Sequence, residues 1–312
     1  MNNKKTKKKI AWLRYSWGDR IFLAVVYTSL ILITLVCLYP LYFTVIASFS
    51  DAFDVYSGKV NLLPSGFSID SYKLVFQNKS IWVDYGNTLL YTVVGTVFNL
   101  ILTIPAAYAL SRKCMYGRNF LMTVFLITMY FGGGMIPTYM LFDSMNLLNT
   151  RGILILCGGV SVYNVIVTRT FFQNNIPDSL MEAAKIDGAS EFLIFGRIVI
   201  PLSAPIIAVM TLYYAVAHWN SYFDAMIYIN DVDLQPLQLV LRRILILNER
   251  AYTDALEGGA SAELLANAAN RAHMAVTMKY ALVFISSAPM LILYPFIQKH
   301  FVKGIMVGSV KG

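Results

Sequence analysis

Charge is scarce in this chain. Only 13% of its 312 residues are Asp, Glu, Lys or Arg, against 57% that are hydrophobic, and a water-soluble domain of this length would interleave charge with apolar positions far more evenly. Cysteine and histidine are scarcer still, at three residues each. Cys37, Cys114 and Cys157 fall in or beside apolar runs without metal-ligand spacing, so neither a disulfide framework nor a zinc site is indicated. His218, His273 and His300 have no partner at a zinc-site interval, and each reads as a structural or solvated side chain. Phosphate-loop, nucleophile-elbow and zincin motifs are missing as well. No catalytic residue, metal site or cofactor of its own is expected in this chain.

What the chain has instead is long uncharged runs. About 20 apolar residues suffice to cross a hydrocarbon layer of roughly 30 Å as a helix, and six such runs stand out, at 21–50, 85–111, 119–142, 152–168, 198–223 and 280–298. The fourth is the shortest and needs help from its ends. The fold class expected is an all-α integral membrane protein of six transmembrane helices. Lys and Arg set the orientation, because cytoplasmic loops retain them. The run KKTKKK at 4–9 precedes the first span, and with that end inside, sixteen of the 25 basic residues lie on the cytoplasmic side. Both termini are therefore expected in the cytoplasm, and the net charge of +8 is topological. A basic tract can also mark nucleic-acid binding, but a lysine run abutting a first span reads as a membrane anchor, and no nucleic-acid partner is expected. The first span is too long for a signal-peptide core and lacks a small-residue cleavage site after it, so it is expected to be retained. The organisation expected is a basic N-terminus at 1–20, a six-helix membrane domain at 21–302 and a tail at 303–312. External loops then occupy 51–84 and 224–279, and the longest cytoplasmic connection occupies 169–197.

Within the outer segments, SIDSYKLVF at 68–76 predicts a short amphipathic helix capped by Ser68. The segment 224–279 predicts two helices, LQLVLRRILILN and SAELLANAANRAHMAV, separated by Gly258-Gly259. Arg242 and Arg243 keep the first from being a span, and the second is too polar for lipid. Asn78-Lys79-Ser80 matches a glycosylation sequon by coincidence of three residues. Gly132-Gly133-Gly134 with Pro137 predicts a kink or break in the third span, serving either close helix packing or gating. Tyr130 stands just ahead of it. The fifth span ends in His218, Trp219 and Asn220 with Asp224 beyond. Trp219 and Asn220 could line a water-filled path, where an aromatic face and an amide suit a sugar. Alternatively Trp219, Tyr222 and Tyr228 form an interfacial aromatic belt.

One polar stretch, MEAAKIDGASEF at 181–192, interrupts the apolar pattern. Pro177 suits a first helical turn, Asp178 and Glu182 favour the N-terminal end, and Gly188 stands where the helix would stop in the left-handed conformation. A second helical turn or two is expected from Ala189 to Ile198, before Pro201. The alanines at its middle would let another protein's surface approach closely.

Glu182-Ala183-Ala184, three residues, Gly188, nine residues, Ile198, one residue and Ile200-Pro201 resemble the EAA loop of importer permeases of the ATP-binding cassette class. The pattern there is EAA-x3-G-x9-I-x-L-P, and the single departure is Ile200 for leucine. Asn87-Thr88-Leu89, AAYALSR at 106–112, MIPTY at 135–139, WNSYFDA at 219–225 and FVKGIMVGSVKG at 301–312 resemble the carbohydrate-uptake branch, in particular its maltose-type second permease. PLQLVLRRIL at 236–245 is similar to the subgroup for lipoprotein-linked and complex polysaccharide uptake. The resemblance implies a multi-pass permease in a prokaryotic cell membrane, forming half of a sugar pathway with a second, unlike permease. It further implies two ATP-binding subunits, which carry ATP and magnesium, and an extracytoplasmic solute-binding protein. It places ATPase coupling on Glu182, Ala183, Ala184, Asp187 and Gly188, in a coupling helix between spans 4 and 5, and the pathway near Tyr130, Trp219 and Asn220. An amino-acid or phosphate importer is the nearest alternative. An ion-coupled carrier would require an intramembrane ion site, for which Asp224 is the sole candidate.

Overall fold

The computed structural model describes residues 16–258 and 261–308. The lysine run at 4–9, Gly259 and the last four residues lie outside them. Among the described residues the chain is all-helical, without a strand. In chain order the helices are α1 Trp17–Ser48, α2 Ala52–Tyr56, α3 Asp70–Gln77, α4 Lys79–Ser111, α5 Arg118–Tyr130, α6 Met135–Ser144, α7 Arg151–Leu156, α8 Val162–Asn175 and α9 Asp178–Ile186. There follow α10 Glu191–Ile194, a π turn Phe195–Val199, α11 Ile200–Leu202, α12 Ala204–Trp219, α13 Phe223–Tyr228, α14 Leu237–Glu257 and α15 Ala262–Gly308.

Three helices are long and apolar enough to cross a membrane unbroken: α1, α4 and the 262–292 portion of α15. Helix α1 opens with a capping box in which Ser16 and Asp19 satisfy each other's backbone N–H groups. Its apolar side chains are exposed all round, including Ile21, Leu30 and Leu38; such a helix is stable only in lipid or against a partner. Only its last turn, at Ile46 and Ala47, is buried, beside Val55 and Val60.

Two further helix pairs are long and apolar enough only when taken together, and each is bent. Helices α5 and α6 meet at 111° across residues 131–134, where Gly134 takes a φ of +87°, as the glycine run predicts. The helical run 191–202 meets α12 at 78°. Its π turn is closed by the Ile200 N–H donating to the Phe195 carbonyl, and Pro201, which has no N–H to offer, follows at once. Helix therefore continues past Ile198 through Pro201 to Leu202, further than the sequence suggests. The run 152–168 is not one helix either: α7 stops at Leu156, Gly158 turns with a φ of +74°, and α8 begins at Val162 and continues to Asn175.

Helix α4 is the organising element. Its inward face is a stripe of small and polar residues, Thr88, Thr92, Gly95, Asn99, Thr103 and Ala107, and small residues at this period let helices approach closely. It packs on α12, α8 and α7. The helix begins at Lys79 rather than near Tyr85, with Asn78 as its cap: Asn78 Oδ1 accepts from the Ser80 N–H and hydroxyl. The sequon asparagine is thus engaged in a cap. Helix α3 begins at Asp70 with Ile69 rather than Ser68 in the cap position, and Ser68 Oγ, one residue earlier, accepts from the Asp70 N–H at 3.1 Å.

The two outer helices appear as α14 and the start of α15. The alanine-rich part runs without interruption into the last apolar stretch, because no proline or glycine occurs between Ala262 and Ala288 and the charge at Lys279 does not break a helix. In the N-terminal part of α4, Asn87 Nδ2 donates to the carbonyls of Asp233 and Gln235 at 2.7 and 3.2 Å. Thr88 Oγ1 accepts from the Leu237 N–H at 2.8 Å. Asn87-Thr88 thereby fixes the entry to α14.

Candidate functional site

The polar stretch folds as its local signals dictate. Pro177, whose missing N–H is not needed there, precedes α9, and Asp178 stands in its first turn. The helix ends in a Schellman arrangement: the Gly188 N–H donates to the Lys185 carbonyl and the Ala189 N–H to the Ala184 carbonyl, both at 3.0 Å, with Gly188 at a φ of +79°. Ser190 Oγ then accepts from the Leu193 N–H at 3.3 Å to start α10. An ion pair of 2.6 Å between Lys185 and Glu191 spans the turn, and the hydrogen bond that Lys185 donates to Glu191 raises the Lys185 pKa. Both side chains are exposed, so this pair contributes little to stability.

Attachment to the bundle comes from the other face. Met181 and Ala184 are buried with Ile104, Leu110, Val165, Phe172 and Ile194, and burying a methionine of this kind contributes about 1.5–3 kcal/mol. Lys113 and Arg112 at the end of α4 reach Asp178 at 3.0 and 3.7 Å. The hydrogen bond and charge of Lys113 hold the Asp178 carboxyl below its usual pKa. The Arg112 side chain is only 12% exposed, and its guanidinium lies 5.0 Å from the centre of the Tyr108 ring. A cavity of about 350 Å³ between these elements is lined by Tyr108, Arg112, Met181, Glu182, Lys185 and Glu191.

Glu182, Ala183, Asp187 and Gly188 face outward. Ala184 does not. It is 8% exposed and belongs to the core, so of the two alanines only Ala183 offers an approachable surface. Two residues that motif reasoning passed over are the most prominent on this face: Ile186 is 86% exposed and Phe192 91%. Their signal was available, since Ile186 falls two residues past Ala184 and so off the buried face of a 3.6-residue helix.

The structure brings Trp219 and Asn220 together and leaves Tyr130 apart. Trp219 is 3% exposed and packs edge-to-face on Tyr85 with centroids 5.9 Å apart. It lines a cavity of about 410 Å³ with Asn220, Gln238, Ser286 and Ser287. With Trp219 and Tyr228 both buried, the three aromatics do not form a lipid-facing belt. Tyr130 ends α5 at 75% exposure and lines none of the cavities described here.

A buried polar centre went unnoticed in the sequence. Asn99 Nδ2 donates to the carbonyls of Gly158 and Gly159 at 3.0 and 2.8 Å, satisfying the backbone groups freed by the break between α7 and α8. Its Oδ1 meets His218 Nε2 at 2.6 Å; with that amide orientation Nε2 carries the proton. Thr103 and Tyr214 pair at 2.6 Å one turn further along. His218 is structural, and an asparagine in the middle of an apolar run was its only sequence signal.

A family model described as binding-protein-dependent transport system inner membrane component matches residues 80–307. The polygalacturonan/rhamnogalacturonan transport system permease protein YtcP of Bacillus subtilis (strain 168) is 40% identical over 94% of this chain and 99% of its own. Protein LplC of the same organism is 39% identical over 88% and 89%. Among solved structures, a bacterial ABC transporter involved in the import of the acidic polysaccharide alginate has a chain that superposes with a TM-score of 0.79 at 34% identity, over 92% of this chain and 99% of that one.

Proposed function

This chain belongs to the family of inner membrane components of binding-protein-dependent transport systems, and from that membership we propose that it is one permease of an ATP-driven importer for a sugar or oligosaccharide. It crosses the membrane six times with both termini in the cytoplasm, α7 and α8 together supplying the fourth crossing. A second, unlike permease completes the pathway, a solute-binding protein delivers the glycan from outside, and two partner subunits bind ATP with magnesium and hydrolyse it. The relatives named for polysaccharide and alginate transport support the glycan as cargo.

The observation that carries the coupling role is the two-sided build of residues 178–192. One side is fastened to the bundle through Met181, Ala184 and Asp178. The other presents Glu182, Ala183, Ile186, Asp187 and Phe192 with no partner in this chain's core. A push on that outer side passes through the capped turn at Gly188 into the helical run 191–202 and, across the bend at Ser203, into α12, which carries His218 and Trp219. Displacement of α12 against α4 is the expected consequence, and a ligand-driven shift of this kind requires contacts that differ between the two states. An amino-acid or phosphate importer would share the segment but has no counterpart to the glycan relatives. An ion-coupled carrier would leave the outward face of 178–192 without a purpose.

Single cysteines at Gly117, Ala189 and Ser261 in a cysteine-free background test the topology. The first two are expected to be shielded from an impermeant thiol reagent in intact cells and the third to react; labelling of 117 or 189 from outside would break the six-crossing reading. Co-purification of an ATPase subunit with the chain tests the coupling role, and its absence from a complex that still imports would remove it.

A further inference from the structure

Three cavities lie side by side along α14, each sharing a lining residue with the next. The largest, about 570 Å³, is lined by Tyr222, Phe223, Met226, Gln238, Arg242 and Lys279. It shares Met226 and Arg242 with a neighbour of about 350 Å³, and Gln238 with the Trp219 cavity of about 410 Å³. Each alone is within the range of a small-ligand site, and as neighbours they mark a groove along α14.

Charge distinguishes the middle of this groove. Arg242 and Lys279 come from different helices, α14 and α15, and enter the same cavity. Among the described residues neither is within ion-pair distance of a carboxylate. The Arg242 guanidinium instead meets the Met226 thioether, a weak acceptor, and Lys279 lies 5.7 Å from the centre of the Tyr280 ring. The adjacent Arg243 differs, because it donates to Gln235 Oε1 at 2.9 Å and its charge reaches Asp84. Both side chains are exposed, and two cations lining one cavity offer charge-assisted hydrogen bonds to an anion placed there.

The rest of the lining specifies what kind of anion. Tyr222 and Phe223 offer ring faces beside the cations. Further along, Asn220, Gln238, Ser286 and Ser287 offer amides and hydroxyls next to Trp219. Ser286 and Ser287 donate to the Val283 carbonyl, which leaves their oxygens free to accept. Hydroxyl donors, a flat apolar face and a carboxylate on one molecule describe a uronic-acid sugar. An acyl chain would make no use of the amides and hydroxyls.

We propose that Arg242 and Lys279 form a cationic subsite that receives the carboxylate of an acidic oligosaccharide, with the adjoining groove taking its neighbouring sugars. This rests on the importer reading above and names the cargo as uronate-bearing. The arginine supplies a bidentate fork and the lysine a point charge.

The test is direct binding to the detergent-purified complex of this chain with its partner subunits, without the binding protein, whose own selectivity would mask the groove. The probes are labelled trigalacturonate and its fully methyl-esterified form, which share the sugar backbone but carry neutral methyl esters in place of the carboxylates. Wild type is expected to prefer trigalacturonate, and Arg242→Gln or Lys279→Gln to weaken it roughly tenfold or more, the loss of a charge-assisted contact, while the ester changes little. Arg242→Lys should recover part of the binding. Equal weakening of both probes, no effect on either, or no wild-type preference would overturn the subsite. So would variant effects that appear only with phosphatidylglycerol in nanodiscs, which would identify a lipid-headgroup site. The two levels separate in ATP hydrolysis measured with the binding protein restored: stimulation by neutral oligosaccharides without trigalacturonate binding removes the subsite alone, whereas no stimulation by any oligosaccharide removes the importer reading as well.

Discussion

Gly188 is the position at which the coupling account can be broken with least disturbance to anything else. Its φ is +79°, and a Cβ built there meets nothing within 4 Å. A substitution therefore costs only what the left-handed backbone costs. For an ordinary residue that is about 1–2 kcal/mol, for asparagine less, and for a β-branched residue it is the most severe case. Gly188→Asn, Gly188→Ala and Gly188→Val should then form an ordered series. Each 1.4 kcal/mol lowers the intact turn relative to its opened form about tenfold, so valine should open the Schellman bonds of Gly188 and Ala189 most often. All three variants should insert in the membrane, since the turn lies outside the crossings. Substrate-stimulated ATP hydrolysis by the reconstituted complex should fall in the order Asn, Ala, Val. Equal activity in all three, or a loss that follows side-chain volume rather than φ, would refute the argument.

The two central alanines should behave oppositely. Ala183→Trp should leave the thermal stability of the purified chain near wild type and abolish ATPase association, whereas Ala184→Trp should overpack the cluster around Phe172 and cost roughly 1–3 kcal/mol in stability, seen as a lower Tm. Asn99→Leu should strip partners from Gly158, Gly159 and His218 at about 1–3 kcal/mol per orphaned group and lower the Tm of the solubilised chain. Asp178 has a folded pKa below its ordinary 3.8, so its contribution is present above that value and lost as pH falls through the folded value. The stability gap between wild type and Asp178→Asn should accordingly hold from pH 7 to 5 and close on further acidification.

Local signals carried the coupling segment. Proline, acidic first turn, glycine and serine each specify backbone conformation within a few residues, and they place α9, the turn and α10 as observed. The triple glycine likewise announced the bend between α5 and α6. What composition could not deliver was where apolar runs break and which residues meet across helices. The stretch at 152–168 lacks charge, yet Gly158-Gly159 splits it because Asn99, some 60 positions earlier, accepts the cost of two free carbonyls. Charge suggested an end near Lys279 that the helix ignores, since one lysine on an uninterrupted helical sequence does not terminate it. Ala183 and Ala184 are identical in type, and only the packing of α9 distinguishes the face of one from the other. Trp219 was legible as a candidate, but its burial against Tyr85 was not.

The central claim, that residues 178–192 receive force from an ATPase, is tested most directly by crosslinking at its most exposed apolar residue. With Phe192→Cys in an otherwise cysteine-free chain and single cysteines in the partner ATPase, a disulfide should form within the assembled complex. Its yield should change when non-hydrolysable ATP analogue is added, and locking it should stop uptake reversibly on reduction. A position 192 that never crosslinks to the ATPase while the complex continues to import would contradict the account.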